Sequence, residues 1–316
     1  IANMAKNYWE SAMQWLPDDI DLTEYMQHHE MRQKVRIASD FRAEVLARLK
    51  SDPAMTGERM PWKKTEKLVR FRAGELTLWT GINGHGKSKL LGQIATGLIY
   101  QGASVCIASL EMHPAETIKR MVEQAEGNGM RSVAYGDRYL DWSSDRLWLY
   151  DHVGDCNSER MLALIRYCAV KLQIKHFFVD SLMKCGVKQD DYDAQSAFVS
   201  ALCDICRDTG IHIHLVAHSK KQLDESRQPG KMDIKGSGTI GDLVFNIITI
   251  WRNKPKENGI ASGDCSKDLE HDQILICDKQ RNGDWEGKIG LWYHKKSGQY
   301  LEEYDCAPCD LTENLP

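Results

Sequence analysis

The stretch ELTLWTGINGHGKSKLLGQIATGLIY, residues 75–100, decides the fold. It opens with a short apolar run, passes through Gly81 to Ser88 in the pattern GxxxxGK[ST], and continues from Lys87 to Tyr100 with a helical pattern. Strand, glycine turn and helix in that order form a phosphate-binding loop. Gly81, Gly84 and Gly86 permit a tight turn whose backbone N–H groups face a phosphate, and the start of the helix adds its positive dipole. The loop as a whole (Gly81, Asn83, Gly84, His85, Gly86, Lys87, Ser88 and Lys89) is therefore expected to hold a nucleotide. Lys87 would reach the β and γ phosphates, and Ser88 would bind Mg²⁺ through its hydroxyl.

Outward from this loop, further short apolar runs follow: SVCIASLE, RLWLYD, IKHFFVDS, IHIHLVAHS, NIITIWRN, DQILICDKQ and KIGLWYHK, several with helical patterns between them. Near-continuous apolar strands that alternate with helices imply an α/β fold around a buried, mainly parallel sheet. The last two or three runs lack intervening helices and read as antiparallel edge strands.

Composition sets the bounds. With 316 residues, 42% of them hydrophobic and 27% charged, the chain can bury a full core. A formal net charge of −4 carries no global basic signal, so contact with nucleic acid has to come from local patches. No apolar run reaches membrane-spanning length, and the start has no signal-peptide layout, so the expected location is the cytoplasm. Ile1 stands where an initiator Met would, which suggests that something preceded it. The ten cysteines lie scattered in apolar patterns and read as reduced thiols. A zinc site from Cys203/Cys206 and Cys306/Cys309 is disfavoured, because CDIC fits an apolar helix face and CAPC falls in a loose tail.

Residues 1 to about 72 are polar, with Pro at 17, 53 and 61 and one helical pattern, DFRAEVLARLK, whose Phe41, Val45, Leu46 and Leu49 share a face. Such a helix cannot form a core alone and should dock on the main domain or on a neighbouring subunit. RMPWKKTEKLVRFR, with six basic residues against Glu66, reads as a solvated lead-in.

The remaining chemistry lies at strand ends. HFFVDS delivers Asp180 to the carboxyl end of a buried strand, where open α/β sheets bind ligands, so it suits Mg²⁺ beside Ser88. Glu111, after VCIASL, could be a general base opposite the γ phosphate. As a group, these segments resemble the RecA-like P-loop NTPase core of ring-shaped replicative helicases, the group containing bacterial DnaB, phage primase-helicases and mitochondrial Twinkle. The segments that carry the resemblance are SLEM at Ser109 to Met112, VAHSKK, KGSGTIGD and KQRNG, and it runs from about residue 62 to 304. It implies that Glu111 is the catalytic glutamate and His218 the phosphate sensor, a residue that is glutamine in DnaB proteins. It also implies that Arg281 is an arginine finger and Lys279 its companion, both acting on a neighbour's ATP. Asn282 and Gly283 also form a strong turn signal, and a turn would present that arginine.

The implied protein is an ATP-driven (or other NTP- or dNTP-driven) helicase: a homo-hexameric ring on single-stranded DNA, partnered by primase and replicative polymerase, in a bacterial or phage-infected cell rather than the mitochondrial matrix. Residues 1–60 would form a helical linker packing on a neighbouring subunit, residues 61–305 the motor and residues 306–316 a tail. The primase or helical collar of relatives is missing from these residues. Candidate DNA contacts are Lys184 and Lys188 after Asp180. Lys220, Lys221, Lys231, Lys235, Gly236 and Ser237 follow in the glycine-containing loop that starts beyond His218. A RecA-like recombinase filament or a nucleotide-gated DNA-binding module would share the fold.

Overall fold

The apolar runs do form strands, and the helical patterns lie between them. The computed structural model describes the backbone at residues 14–15 and then residues 37–50, 52, 55–188, 190–219, 226–230, 233 and 238–313. In chain order the strands are β1 (Gln14–Trp15), β2 (Glu58–Arg59), β3 (Arg70–Phe71), β4 (Leu76–Thr80), β5 (Val105–Ser109), β6 (Leu147–Leu149) and β7 (His176–Asp180). They continue as β8 (His212–Val216), β9 (Asn246–Arg252), β10 (Gln273–Gln280), β11 (Gly287–His294) and β12 (Gln299–Leu301). The helices are α1 (Arg42–Lys50), α2 (Lys87–Tyr100), α3 (Pro114–Glu126), α4 (Val133–Ser143), α5 (Ser158–Val170), α6 (Tyr192–Thr209), α7 (Gly238–Leu243) and α8 (Lys254–Ala261).

Among the described residues the main sheet has the order β1-β6-β5-β7-β8-β4-β9-β10-β11-β12. From β1 through β9 neighbouring strands are parallel, and β10, β11 and β12 are antiparallel additions at one edge. Every residue of β4, β5 and β8 is buried, as expected of strands covered on both faces. On one face α5, α6 and α7 cover Leu76, Leu78, Phe177 and Ile213. On the other, α2, α3 and α4 cover Trp79, Ile107, Phe178 and Ile248. Leu90, Ile94 and Leu98 of α2, spaced at i, i+4, are fully buried there. Truncating one of them to Ala would cost about 2–5 kcal/mol.

Three sequence expectations need correction or refinement. The basic stretch 59–72 is not a solvated lead-in: Met60, Trp62, Val69 and Phe71 are buried in the second core, and Trp62 Nε1 donates to Tyr300 O at 2.7 Å. Lys63 and Lys67 are exposed, but Arg70 is buried with the apolar residues, so charge counting hid an anchor. The tail is not loose either. Leu311 is buried, Leu311 N donates to Ala125 O at 2.9 Å, and Cys309 N donates to Gln299 Oε1 at 3.1 Å. Asp310 accepts from Tyr135 Oη at 2.7 Å and from Arg138 Nη2 at 2.8 Å. Backbone pairing and one carboxylate therefore tie down a segment that has little hydrophobic signal. Finally, α1 is a helix, but among the described residues its Val45, Leu46 and Leu49 stay exposed, at 48%, 48% and 76%.

Seven of the ten cysteines are buried, and all ten are free thiols. Among the described residues no helix is long and apolar enough to cross a membrane.

Candidate nucleotide site

The loop after β4 adopts the glycine-dependent shape that its sequence predicts. Gly86 has φ 82°, which is left-handed, just before α2, and Gly84 has φ 79°. A Cβ at Gly81 would run into Ile250 O of the adjacent strand, so close backbone approach requires glycine there. Asn83 and Gly84 are exposed at the tip.

Lys87 is buried, and its Nζ donates to Gly81 O at 2.9 Å and Ile82 O at 3.0 Å. Burial pushes its pKa down to about 8, against the opposing pull of the Asp180 and Glu111 carboxylates. Ser88 Oγ donates to Asp180 Oδ2 at 2.6 Å, joining the first turn of α2 to the end of β7. Burial raises the Asp180 pKa. The Ser88 hydrogen bond opposes that shift, Glu111 adds to it, and Lys87 draws it back. A hydroxyl and a desolvated carboxylate in contact form a hard all-oxygen pair. They fit Mg²⁺, which takes one or two carboxylates and completes its shell with water and phosphate.

The base and sensor candidates meet on the other side of Asp180. Leu110 N donates to Asp180 O at 2.8 Å and so fixes where Glu111 leaves β5. Glu111 Oε1 accepts from Ser181 Oγ at 3.2 Å and lies 3.6 Å from His218 Nε2. Glu111, Asp180 and His218 thus converge at the carboxyl ends of β5, β7 and β8. The reading of sequence missed Ser181, whose only signal is its place directly after the strand-end acid. A cleft opens beside Ser88 and Asp180, walled by Ile107, Met112, Met121 and Phe178.

Two loop side chains face elsewhere. His85 is turned inward, and its Nδ1 accepts from Arg252 N at 3.0 Å, so its ring secures β9 and only its backbone is placed for phosphate. Lys89 Nζ donates to Tyr293 Oη at 2.7 Å and lies 5.1 Å from that ring's centroid.

Arg281 and Lys279 do not join this cluster. Gln280 is in register with Asn246, which pairs with Thr77 at the start of β4, whereas the loop leaves β4 after Thr80. Because β10 runs antiparallel to β9, Arg281 sits at the opposite ends of the strands from Gly81, about 15 Å away along the strand direction. Of the candidate DNA contacts, Lys184 is half-buried with Nζ 3.1 Å from Asp155 Oδ1, and Lys188 is exposed. Lys220, Lys221, Lys231, Lys235, Gly236 and Ser237 lie outside the described residues.

Comparison with known proteins agrees with this geometry. The model of the DnaB-like helicase C terminal domain matches residues 65–302. A DNA helicase/primase of Enterobacteria phage T3 is 23% identical over 210 residues, covering 60% of this chain and 37% of the phage protein. The chain therefore spans little more than a third of that relative's length. Two solved structures share the fold. One is a DnaB-like replicative helicase described with its interactions with primase (TM-score 0.68, 15% identity, 84% of this chain and 68% of that one). The other is an isolated ATPase domain (TM-score 0.66, 16% identity, 85% of this chain and 99% of that one). With three quarters of its length matched by the family model, and a glycine loop, a Ser88–Asp180 pair and Glu111 gathered in one cluster, this chain belongs to the DnaB-like helicase C-terminal domain family.

Proposed function

We propose that this chain is the ATP-driven motor of a replicative DNA helicase, a hexameric ring that moves along single-stranded DNA and unwinds duplex by hydrolysing NTP between subunits. The observation that supports this reading is the separation of Arg281 from its own phosphate loop: the two lie at opposite ends of the strands, which leaves the arginine out of its own site and suits service to the site of an adjacent copy. A finger supplied from outside contributes about 10³ to 10⁵ in rate, and splitting the site makes turnover depend on how the subunits are arranged.

In this reading Lys87 neutralises the β and γ phosphates while the loop amides cradle them. Glu111, held by Ser181 and facing His218, accepts the proton of the attacking water. Ser88 and Asp180 would hold Mg²⁺, which when bound would supply Lewis-acid stabilisation of charge on the phosphates. His218 begins the loop that holds Lys220 to Ser237, so a change at the γ phosphate reaches the DNA contacts through the chain itself. Lys184 and Lys188 line the same strand-end face and contact phosphate without reading bases. The open apolar face of α1 suits the flank of a neighbouring subunit. Primase and a replicative polymerase are the expected partners, in the cytoplasm of a bacterium or of a phage-infected cell.

Unwinding of a forked duplex by the purified chain tests this, with Lys87→Ala as the inactive control. ATP turnover without strand separation under any loading condition would favour a nucleotide-gated DNA-binding module.

A further inference from the structure

The two cations of β10 reach the C-terminal end of α7. Lys279 Nζ donates to Gly241 O at 2.8 Å and to Asp242 O at 3.0 Å, and Arg281 Nη2 donates to Asp242 O at 2.8 Å. The last carbonyls of a helix lack partners within it and carry the negative end of its dipole, so cations settle there. Beside the guanidinium lies an aromatic ring: the charge centre of Arg281 is 5.0 Å from the Phe245 centroid, and Arg281 N donates to Phe245 O at 2.9 Å. A register shift in β10 between Cys277 and Lys279 re-aims the strand end. Lys279 and Arg281 then go to α7, whereas Gln280 between them turns to the carbonyls of Leu68 and Trp285.

Phe245 is itself firmly placed. It packs partly buried against the first core, and its N–H donates to Leu76 O at 3.1 Å. The backbone of Phe245 is therefore tied to the strand that carries the chain's own phosphate loop, with its side chain against the first core. Arginine has many rotamers, and each turnover requires the same guanidinium geometry at a phosphate of another subunit, so a fixed aromatic face saves the search.

Resting on the reading of Arg281 as a finger, we propose that Phe245 is its positioning residue: the ring holds the guanidinium plane while the hydrogen bond to Asp242 O is exchanged for the neighbour's γ phosphate. Phe245 touches no substrate and acts only through Arg281.

Phe245→Leu and Phe245→Met keep an apolar side chain without the ring, and Phe245→Tyr keeps the ring. With the full chain assembled on single-stranded DNA, kcat for ATP falls about tenfold in the Leu and Met variants while KM stays within about twofold, and Tyr retains the full rate. Adding Phe245→Met to Arg281→Ala lowers turnover no further. Unchanged kcat in both ring-less variants overturns the proposal. So does a loss that Phe245→Tyr shares, or one that comes with loss of nucleotide binding or assembly, because each of these marks a packing role. If Arg281→Ala itself turns over at the wild-type rate, the finger reading fails instead.

Discussion

Nucleotide affinity should fall as pH rises through 8, because Lys87 loses its proton there. The ammonium is buried against the carbonyls of Gly81 and Ile82, and desolvation brings its pKa to about 8. Phosphates select the charged form, so the apparent Kd scales inversely with the fraction of protonated lysine. The protonated fraction goes from about 91% at pH 7 to about 9% at pH 9, which weakens binding about tenfold, or about 1.4 kcal/mol. Calorimetric titration with a non-hydrolysable ATP analogue from pH 7 to 9.5, in two buffers of different ionisation heat, reads both affinity and protons. Uptake of about half a proton at pH 8, approaching one at pH 9, is expected. Lys87→Arg should bind more weakly but with a flat profile, since guanidinium stays charged. The folded pKa lies below the ordinary lysine value of 10.5, so between pH 8 and 10.5 the unfolded chain binds more protons. Stability without nucleotide should therefore rise with pH while affinity falls. An affinity independent of pH from 7 to 9, with no proton uptake, would refute the assignment of Lys87 as a buried phosphate ligand.

Further outcomes follow from other parts of the molecule. His212 and His214 are fully buried, and burial depresses both pKa values, that of His212 to about 3 with His176 adding to the effect. Unfolded histidine protonates near 6.5, so below that pH the unfolded state binds protons that the fold excludes. Each ring then costs about 1.4 kcal/mol of stability per pH unit. Urea midpoints at pH 6.5 and 5 should drop accordingly, and equal midpoints would contradict the burial of neutral rings. Ending the chain after residue 305 removes Leu311 and the Asp310 contacts with Tyr135 and Arg138. It should cost about 2–4 kcal/mol in thermal or urea unfolding, and no loss would restore the loose-tail reading. Val45→Ser with Leu49→Ser should leave unfolding of the core unchanged yet shift sedimentation toward smaller species, because both side chains are exposed among the described residues. An unchanged assembly would place α1 outside the interface.

Much of the parallel core was legible in the sequence, because buried strands announce themselves as apolar runs and glycine spacing marks the phosphate loop. The pattern also placed Asp180, Glu111 and His218 at strand ends, since a parallel sheet gathers its carboxyl ends along one edge. What stayed hidden depends on partners far along the chain. Trp62 lies between charges that suggest solvent, and its anchor, Tyr300, is 238 residues away. The tail is held by hydrogen bonds of Cys309 and Asp310, which have no periodicity. Ser181 turns toward Glu111 across 70 residues, and the inward turn of His85 depends on Arg252, so neither could be read locally. The shift in β10 that aims Arg281 at α7 is a property of pairing, not of composition.

The most direct test of a site shared between subunits is ATP turnover by a mixture of Arg281→Ala and Glu111→Ala chains. Each variant alone should be inactive. Random assembly at equal ratio joins an intact Glu111 to an intact neighbouring Arg281 at about a quarter of the interfaces, so turnover should return toward that fraction. Silence at every ratio, with mixed rings shown to form, would mean that arginine and glutamate serve the same subunit, and the shared site would be wrong.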